Sequence, residues 1–176
     1  MTWRTTTLRA VPRHTLSEPD PVLARVLAAR GVLQDSERSL ELRDLAPLGQ
    51  LQGLLPAAEL VHRYRQGRIV IVGDFDADGA TSAALLVRGL TALGFAAVTA
   101  LVPNRFEFGY GLSPEIVDVA LADQPDLIIT VDNGISSVAG VAHARAEGVA
   151  VLVTDHHLAP EQLPDANVIV NPNQPG

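Results

Sequence analysis

Arg68-Ile69-Val70-Ile71-Val72-Gly73-Asp74-Phe75-Asp76-Ala77-Asp78-Gly79 is the stretch on which the fold turns. Ile69–Val72 is a short β-branched run with no polar residue at alternate positions. Such a run predicts a strand covered on both faces rather than an amphipathic helix. Helical spacing follows over Thr81–Leu93 and stops at Gly94. The same alternation continues outward. Ala97–Val102, Leu127–Val131, Val149–Val153 and Asn167–Val170 read as strands. Pro114–Ala122, with Ser113 as N-cap, and Ser137–Glu147, stopped by Gly148, read as helices. The class is α/β: a Rossmann-like, doubly wound, mainly parallel sheet with a helical N-terminal arm. Ligands in such sheets bind beyond the carboxyl ends of the strands.

Upstream of Arg68 the pattern differs. Residues 1–67 form the expected arm, with Val22–Arg30, Asp35–Asp44 and Pro56–Gln66 as helical stretches and no catalytic signal. Residues 68–176 form the expected catalytic domain. The chain stops at Asn173-Gln174-Pro175-Gly176, a turn rather than a domain end, so the domain reads as truncated at its C-terminal side.

Composition narrows the chemistry. There is no cysteine, which removes disulfides, thiolate metal sites and a cysteine nucleophile. All 13 Lys+Arg residues are arginine, so no P-loop lysine exists in this segment. The net charge of −7 argues against a general nucleic-acid binder. Bound cations would reverse that field locally. No apolar stretch is long enough to span a membrane, and the first residues lack a signal pattern. A cytoplasmic protein without a membrane partner is expected.

Polar clusters stand directly behind four of the strands. Asp74, Asp76 and Asp78 follow the first. Asn104 and Arg105 follow the second, Asp132 and Asn133 the third, and Asp155, His156 and His157 the fourth. In a parallel sheet all four reach one edge, where carboxylates, imidazoles and a guanidinium suit divalent metals and a phosphate. Each cluster also has a plainer reading. Asp74–Gly79 could cap the next helix, but three carboxylates within five residues repel one another without a cation. The sharp turn needed for them to converge is assigned to Gly79. An EF-hand loop would require a glutamate where Leu85 stands. An aspartyl-phosphate phosphatase would require threonine where Ala80 stands, together with a lysine. Asp132-Asn133-Gly134 could be an ordinary turn, and Phe106–Gly111 a mobile substrate loop or a mere connection. His14, His62 and His143 read as surface or packing residues.

In this order the clusters resemble the DHH phosphoesterase superfamily, named for its Asp-His-His motif, and most nearly its single-strand-specific exonucleases. The resemblance rests on Gly73–Ser82, on Val102–Glu107 with Gly109–Ser113, on Val131–Ser136 and on Thr154–His157. It implies a two-metal nuclease using Mn²⁺ or Mg²⁺. The substrate would be single-stranded DNA, degraded 5′→3′ in repair and recombination beside repair or helicase proteins. By motif position, Asp74, Asp76, Asp78, Asp132 and His156 would hold or support metals, with Asp132 bridging. Asp155 would orient a histidine, Asn104 and Arg105 would take the phosphate, and His157 would contact a metal or the scissile phosphate. His157, Asp155 and Asp132 would thus carry the reaction. Phe108 departs from the pattern, standing where relatives often carry an acid. A further metal-binding aspartate and a second domain would come after Gly176, so this piece alone is expected to bind metal weakly and cut poorly. A phosphohydrolase of small substrates and a non-catalytic phosphate-binding module remain open.

Overall fold

The apolar runs become the strands of one sheet. A computed structural model describes residues 10–39, 41, 47, 49 and 51–174. The chain divides into two compact units, Met1–Ala46 and Pro47–Gly176. In the first, Asp20 caps α1 (Pro21–Ala29) by accepting from the amides of Val22 and Leu23. Gly31, at φ 89°, takes the left-handed position after the helix. The stretch expected over Asp35–Asp44 is a single 3-10 turn, Asp35–Arg38. Residues 40 and 42–44 lie outside the described residues.

The second unit opens with α2 (Leu54–Arg63) and continues through β1 (Arg68–Gly73), α3 (Ala77–Ala92), β2 (Ala97–Leu101) and the short α4 (Arg105–Phe108). It proceeds through α5 (Pro114–Leu121), β3 (Leu127–Val131), α6 (Val138–Ala146), β4 (Ala150–Thr154) and β5 (Val168–Val170). The five strands run in the order β2-β1-β3-β4-β5, and every pairing is parallel. The doubly wound reading therefore holds.

Successive strand residues feed opposite faces. Ile69, Ile71, Leu127 and Ile129 pack with Ala57 and Leu60 of α2 and Ala83 and Leu90 of α3. Val70, Val72, Ile128 and Val151 pack with Ile116 and Val117 of α5 and Val141 of α6. Each large side chain fully buried in this way contributes roughly 1.5–3 kcal/mol. The chain winds outward from β1 in one direction and from β3 in the other. The helices leaving these two strands lie on opposite faces, and a crevice opens between the strand ends.

One boundary differs in a way that matters. The helix expected from Thr81 begins at Ala77, with Asp76 as N-cap and Asp78 in its first turn. Gly79 is therefore not a sharp turn. It is a close-approach position, since a Cβ there would lie 2.5 Å from the Asp74 carbonyl oxygen. No helix among the described residues is long and apolar enough to cross a membrane.

A candidate metal centre at the strand ends

Register builds the site. Gly73 of β1 stands beside Val131 of β3, and Val131 stands beside Thr154 of β4. The next residue on each strand is an aspartate, so Asp74, Asp132 and Asp155 leave the sheet side by side. All three are buried.

Asp132 is the centre of the arrangement. Its φ of 64° is left-handed, a conformation uncommon outside glycine that aspartate and asparagine adopt more readily than most residues. One oxygen or nitrogen from each of Asp74, Asp76 and Asp132 falls within 4.8 Å of the others, and the same holds for Asp132, His156 and His157. Asp132 belongs to both groups. His156 Nε2 lies 2.8 Å from Asp132 Oδ1, but the approach lacks hydrogen-bond geometry. Neither buried carboxylate oxygen of Asp132 has a hydrogen-bond partner. Burial raises the Asp132 carboxyl above its ordinary range. The Asp78 and Asp76 charges add to that rise, and His156 opposes it. An orphaned, crowded carboxylate flanked by acids and an imidazole fits a hard or borderline divalent cation.

The other acids play distinct parts. Asp74 accepts from the Phe75 amide at 2.8 Å. Asp76 accepts from the Gly79 amide, and that bond holds its carboxyl below the usual range. Asp78 is outside both groups and stands 4.0 Å from His156 Nε2. Asp78, Asp132 and His156 all line a cavity of about 360 Å³, shared with Val131, Val170 and Pro172.

Asp155 is wired differently. Its Oδ1 accepts from the amides of His156 and His157 and lies 2.7 Å from His157 Nδ1. Its Oδ2 accepts from the Ile135 amide at 2.9 Å. Burial alone would raise this carboxyl. The Ile135 amide, the His157 ring and the two histidine amides outweigh burial and hold it below the ordinary value. The same bond raises the His157 imidazole against the opposing effect of burial. With Nδ1 taken by Asp155, Nε2 is the nitrogen left for chemistry.

Of the phosphate candidates, Asn104 uses its side-chain oxygen to accept from the Phe106 amide at the start of α4. The side chain of Arg105 lies outside the described residues. Phe108, where the family pattern often has an acid, packs against the core on the α5–α6 face. The remaining histidines stand apart from this centre; His143 pairs with Asp118 at 2.7 Å.

Several residues at the site have no role assigned by the sequence pattern. Gly109 and Gly111, at φ 77° and 78°, plant Tyr110 between them. The Tyr110 hydroxyl lies 3.2 and 3.3 Å from the two ring nitrogens of His157 and 3.5 Å from the Asp132 carbonyl. Burial, followed by the Asp155, Asp74, Asp132 and Asp76 charges, pushes its pKa up to about 12, so the phenol stays protonated at neutral pH. Asn133, fully buried, donates to the carbonyls of Val72 and Val131 and ties the ends of β1 and β3 together. Asn171 donates to the His157 carbonyl at 3.0 Å.

The model of the DHH family, N-terminal domain, matches residues 68–176. The single-stranded-DNA-specific exonuclease RecJ of Salmonella typhimurium strain LT2 is 56% identical over 155 residues, 87% of this chain and 27% of that protein. RecJ of Escherichia coli K12 is 53% identical over 159 residues, 89% of this chain and 28% of that protein. A crystal structure of RecJ in complex with Mn²⁺ from Thermus thermophilus superposes with a TM-score of 0.62 at 36% identity, covering 85% of this chain and 21% of that one. A crystal structure of exonuclease RecJ bound to manganese gives a TM-score of 0.66 at 42% identity, covering 73% of this chain and 33% of that one. The chain thus spans under a third of the length of these curated relatives.

Proposed function

We propose, from the premise that this chain belongs to the DHH family, that it carries the metal-binding half of a 5′→3′ exonuclease acting on single-stranded DNA. The observation that carries the reading is Asp132, a buried carboxylate with no hydrogen-bond partner that belongs to both ligand groups. The names of its relatives and the manganese in two solved structures of that kind support the substrate and the ion. In this reading residues 68–176 form the catalytic domain and residues 1–67 precede it, with α2 of that stretch packed into the domain's own core.

Asp74, Asp76, Asp132 and His156 would hold Mn²⁺ or Mg²⁺ at a two-metal site, with Asp78 in support. Bound there, the ions supply charge for the phosphoryl oxygens and make water a stronger acid. The chain's own residues do the rest. Asp132, which belongs to both ligand groups, would offset part of the cation charge. Asp155 fixes Nδ1 of His157 and leaves Nε2 to meet a non-bridging phosphate oxygen. Arg105 and Asn104 bind the phosphate. The Tyr110 phenol, protonated across the working range, can donate but never adds another negative charge to the crowded site. The same reading carries a cytoplasmic location and a place beside repair or helicase proteins.

The test uses the full-length protein and a 5′-labelled single strand with Mn²⁺. Stepwise release of the label as mononucleotide is expected, with a matched duplex left intact. Hydrolysis of pyrophosphate or dinucleotides alone would assign the site to small substrates. Binding without turnover would make it a module.

A further inference from the structure

β5 is three residues long, and the turn after it does more than close the sheet. Asn171 is 1% exposed. Its side-chain amide donates to the His157 carbonyl at 3.0 Å, and its side-chain oxygen accepts from the Asn173 amide at 2.7 Å. Asn173 in turn donates its side-chain amide to the His156 carbonyl. The turn is itself anchored: Gln174 donates to the carbonyls of Ile169 and Asn171, and the Asp155 amide donates to the Val170 carbonyl at 3.1 Å.

His156 and His157 lie beyond the end of β4, outside the sheet ladder. Their amides are both taken by Asp155. Their carbonyls are both taken by the two asparagines. The main chain of the pair is therefore clamped at every polar group by side chains. Each imidazole keeps only its two side-chain torsions as freedom.

We propose that Asn171 and Asn173 are positioning residues for the His156–His157 pair, setting the backbone from which the imidazoles reach Asp132. The inference rests on the reading of these histidines as metal and phosphate groups. Asparagine is the side chain the place requires. An aspartate at 171 would still accept from Asn173 but would set a negative oxygen against the His157 carbonyl. An alanine would leave that buried carbonyl without its donor. A turn that served only to end β5 would need neither amide aimed at the histidines.

The test compares the full-length protein with its Asn171→Asp, Asn171→Ala and Asn173→Ala variants. Mn²⁺ affinity is read by calorimetry. Metal-free melting is followed by circular dichroism. Ring ¹⁵N shifts of His156 and His157 are recorded without metal, at a pH where the rings are neutral. Supporting partners of ligating histidines are worth about 10- to 100-fold in metal affinity. A loss in that range is expected for Asn171→Asp in a chain that still melts cooperatively. Asn173→Ala, on the surface, should weaken binding with little change in melting and should shift the His156 ring signals. Wild-type affinity and unchanged ring shifts in Asn173→Ala would overturn the proposal, even if the Asn171 variants do not fold. Should the full-length wild-type protein take up no Mn²⁺, the functional reading fails, and the ring shifts alone decide whether the asparagines position the pair.

Discussion

His156 Nε2 stands 2.8 Å from Asp132 Oδ1, close enough for an ion pair, yet neither Asp132 oxygen has a well-aligned hydrogen-bond donor. A buried carboxylate and an imidazole crowded in this way lead to opposite expectations with and without metal.

Asp132→Asn should stabilise the metal-free chain and disable the loaded one. The Asp132 carboxyl is raised in the folded state, by burial first and then by Asp78. Stability is therefore lost as pH rises from the unfolded carboxyl value through the folded one, and stays lost above it. Removing the charge should gain roughly 1 kcal/mol in urea unfolding with chelator present, the usual scale for relieving one unfavourable group. With Mn²⁺ added, the wild-type melting temperature should rise by mass action and that of Asp132→Asn should not. Turnover by the full-length variant should fall at least about 100-fold. Equal metal-induced shifts in the two proteins would remove Asp132 from the ligand set.

Gly79→Ala should lower stability although alanine is the better helix former. Propensity favours the change by about 1 kcal/mol. The new Cβ, however, would fall 2.5 Å from the Asp74 carbonyl oxygen, a backbone atom that cannot swing aside. Overpacking of this kind costs about 1–3 kcal/mol, and more against backbone. A net loss of about 2 kcal/mol in chemical denaturation is expected; a gain would show that α3 can slide off the end of β1.

Asp155 ties the fold to acid. Burial works against its charge, but the donors from Ile135, His157 and His156 win and depress its pKa. A depressed carboxyl contributes stability above its unfolded pKa, and that contribution is lost as pH falls through the folded value. The loss should therefore appear below about pH 4. Asp155→Ala strands several donors and should cost about 3 kcal/mol at neutral pH. It should also flatten the acid limb of the stability profile measured by urea titration.

His143 supplies the opposite sign. Its hydrogen bond to Asp118 raises its pKa above 6.5, against a smaller effect of burial. A raised histidine contributes stability fully below its unfolded pKa of about 6.5, and the contribution is lost as pH rises through the folded value. Proton NMR should find His143 titrating above about 6.5. Asp118→Asn should bring it back and remove this part of the pH dependence.

Much of this was legible in the chain. Continuous apolar runs of four to six residues, each ending in a polar cluster, mark covered strands with their carboxyl ends exposed. Asp74, Asp132 and Asp155 could be assigned to one edge on that ground alone. The start of α3 was hidden because Asp76-Ala77-Asp78-Gly79 looks like a turn. Local propensity counts Gly79 against a helix, while the close approach to Asp74 that demands a glycine is a tertiary fact.

The supporting shell was hidden for a related reason. Tyr110 meets His157 across 47 positions, Asn133 meets Val72 across 61, and Asn171 meets His157 across 14. No periodicity encodes such meetings. Only the packed sheet brings the partners together, so asparagines that read as turn formers prove to be braces.

The side-by-side exit of Asp74, Asp132 and Asp155 also dictates where this chain can change length. Adding or deleting one residue inside β1, β3 or β4 would shift one carboxylate by a full strand step of about 3.3 Å and turn the side chains above it to the wrong face. At the opposite rim, around Gly94, Gln124 and Gly148, the same edit merely lengthens a connection. Natural and engineered insertions are thus expected to gather on one rim of the sheet and to spare the other.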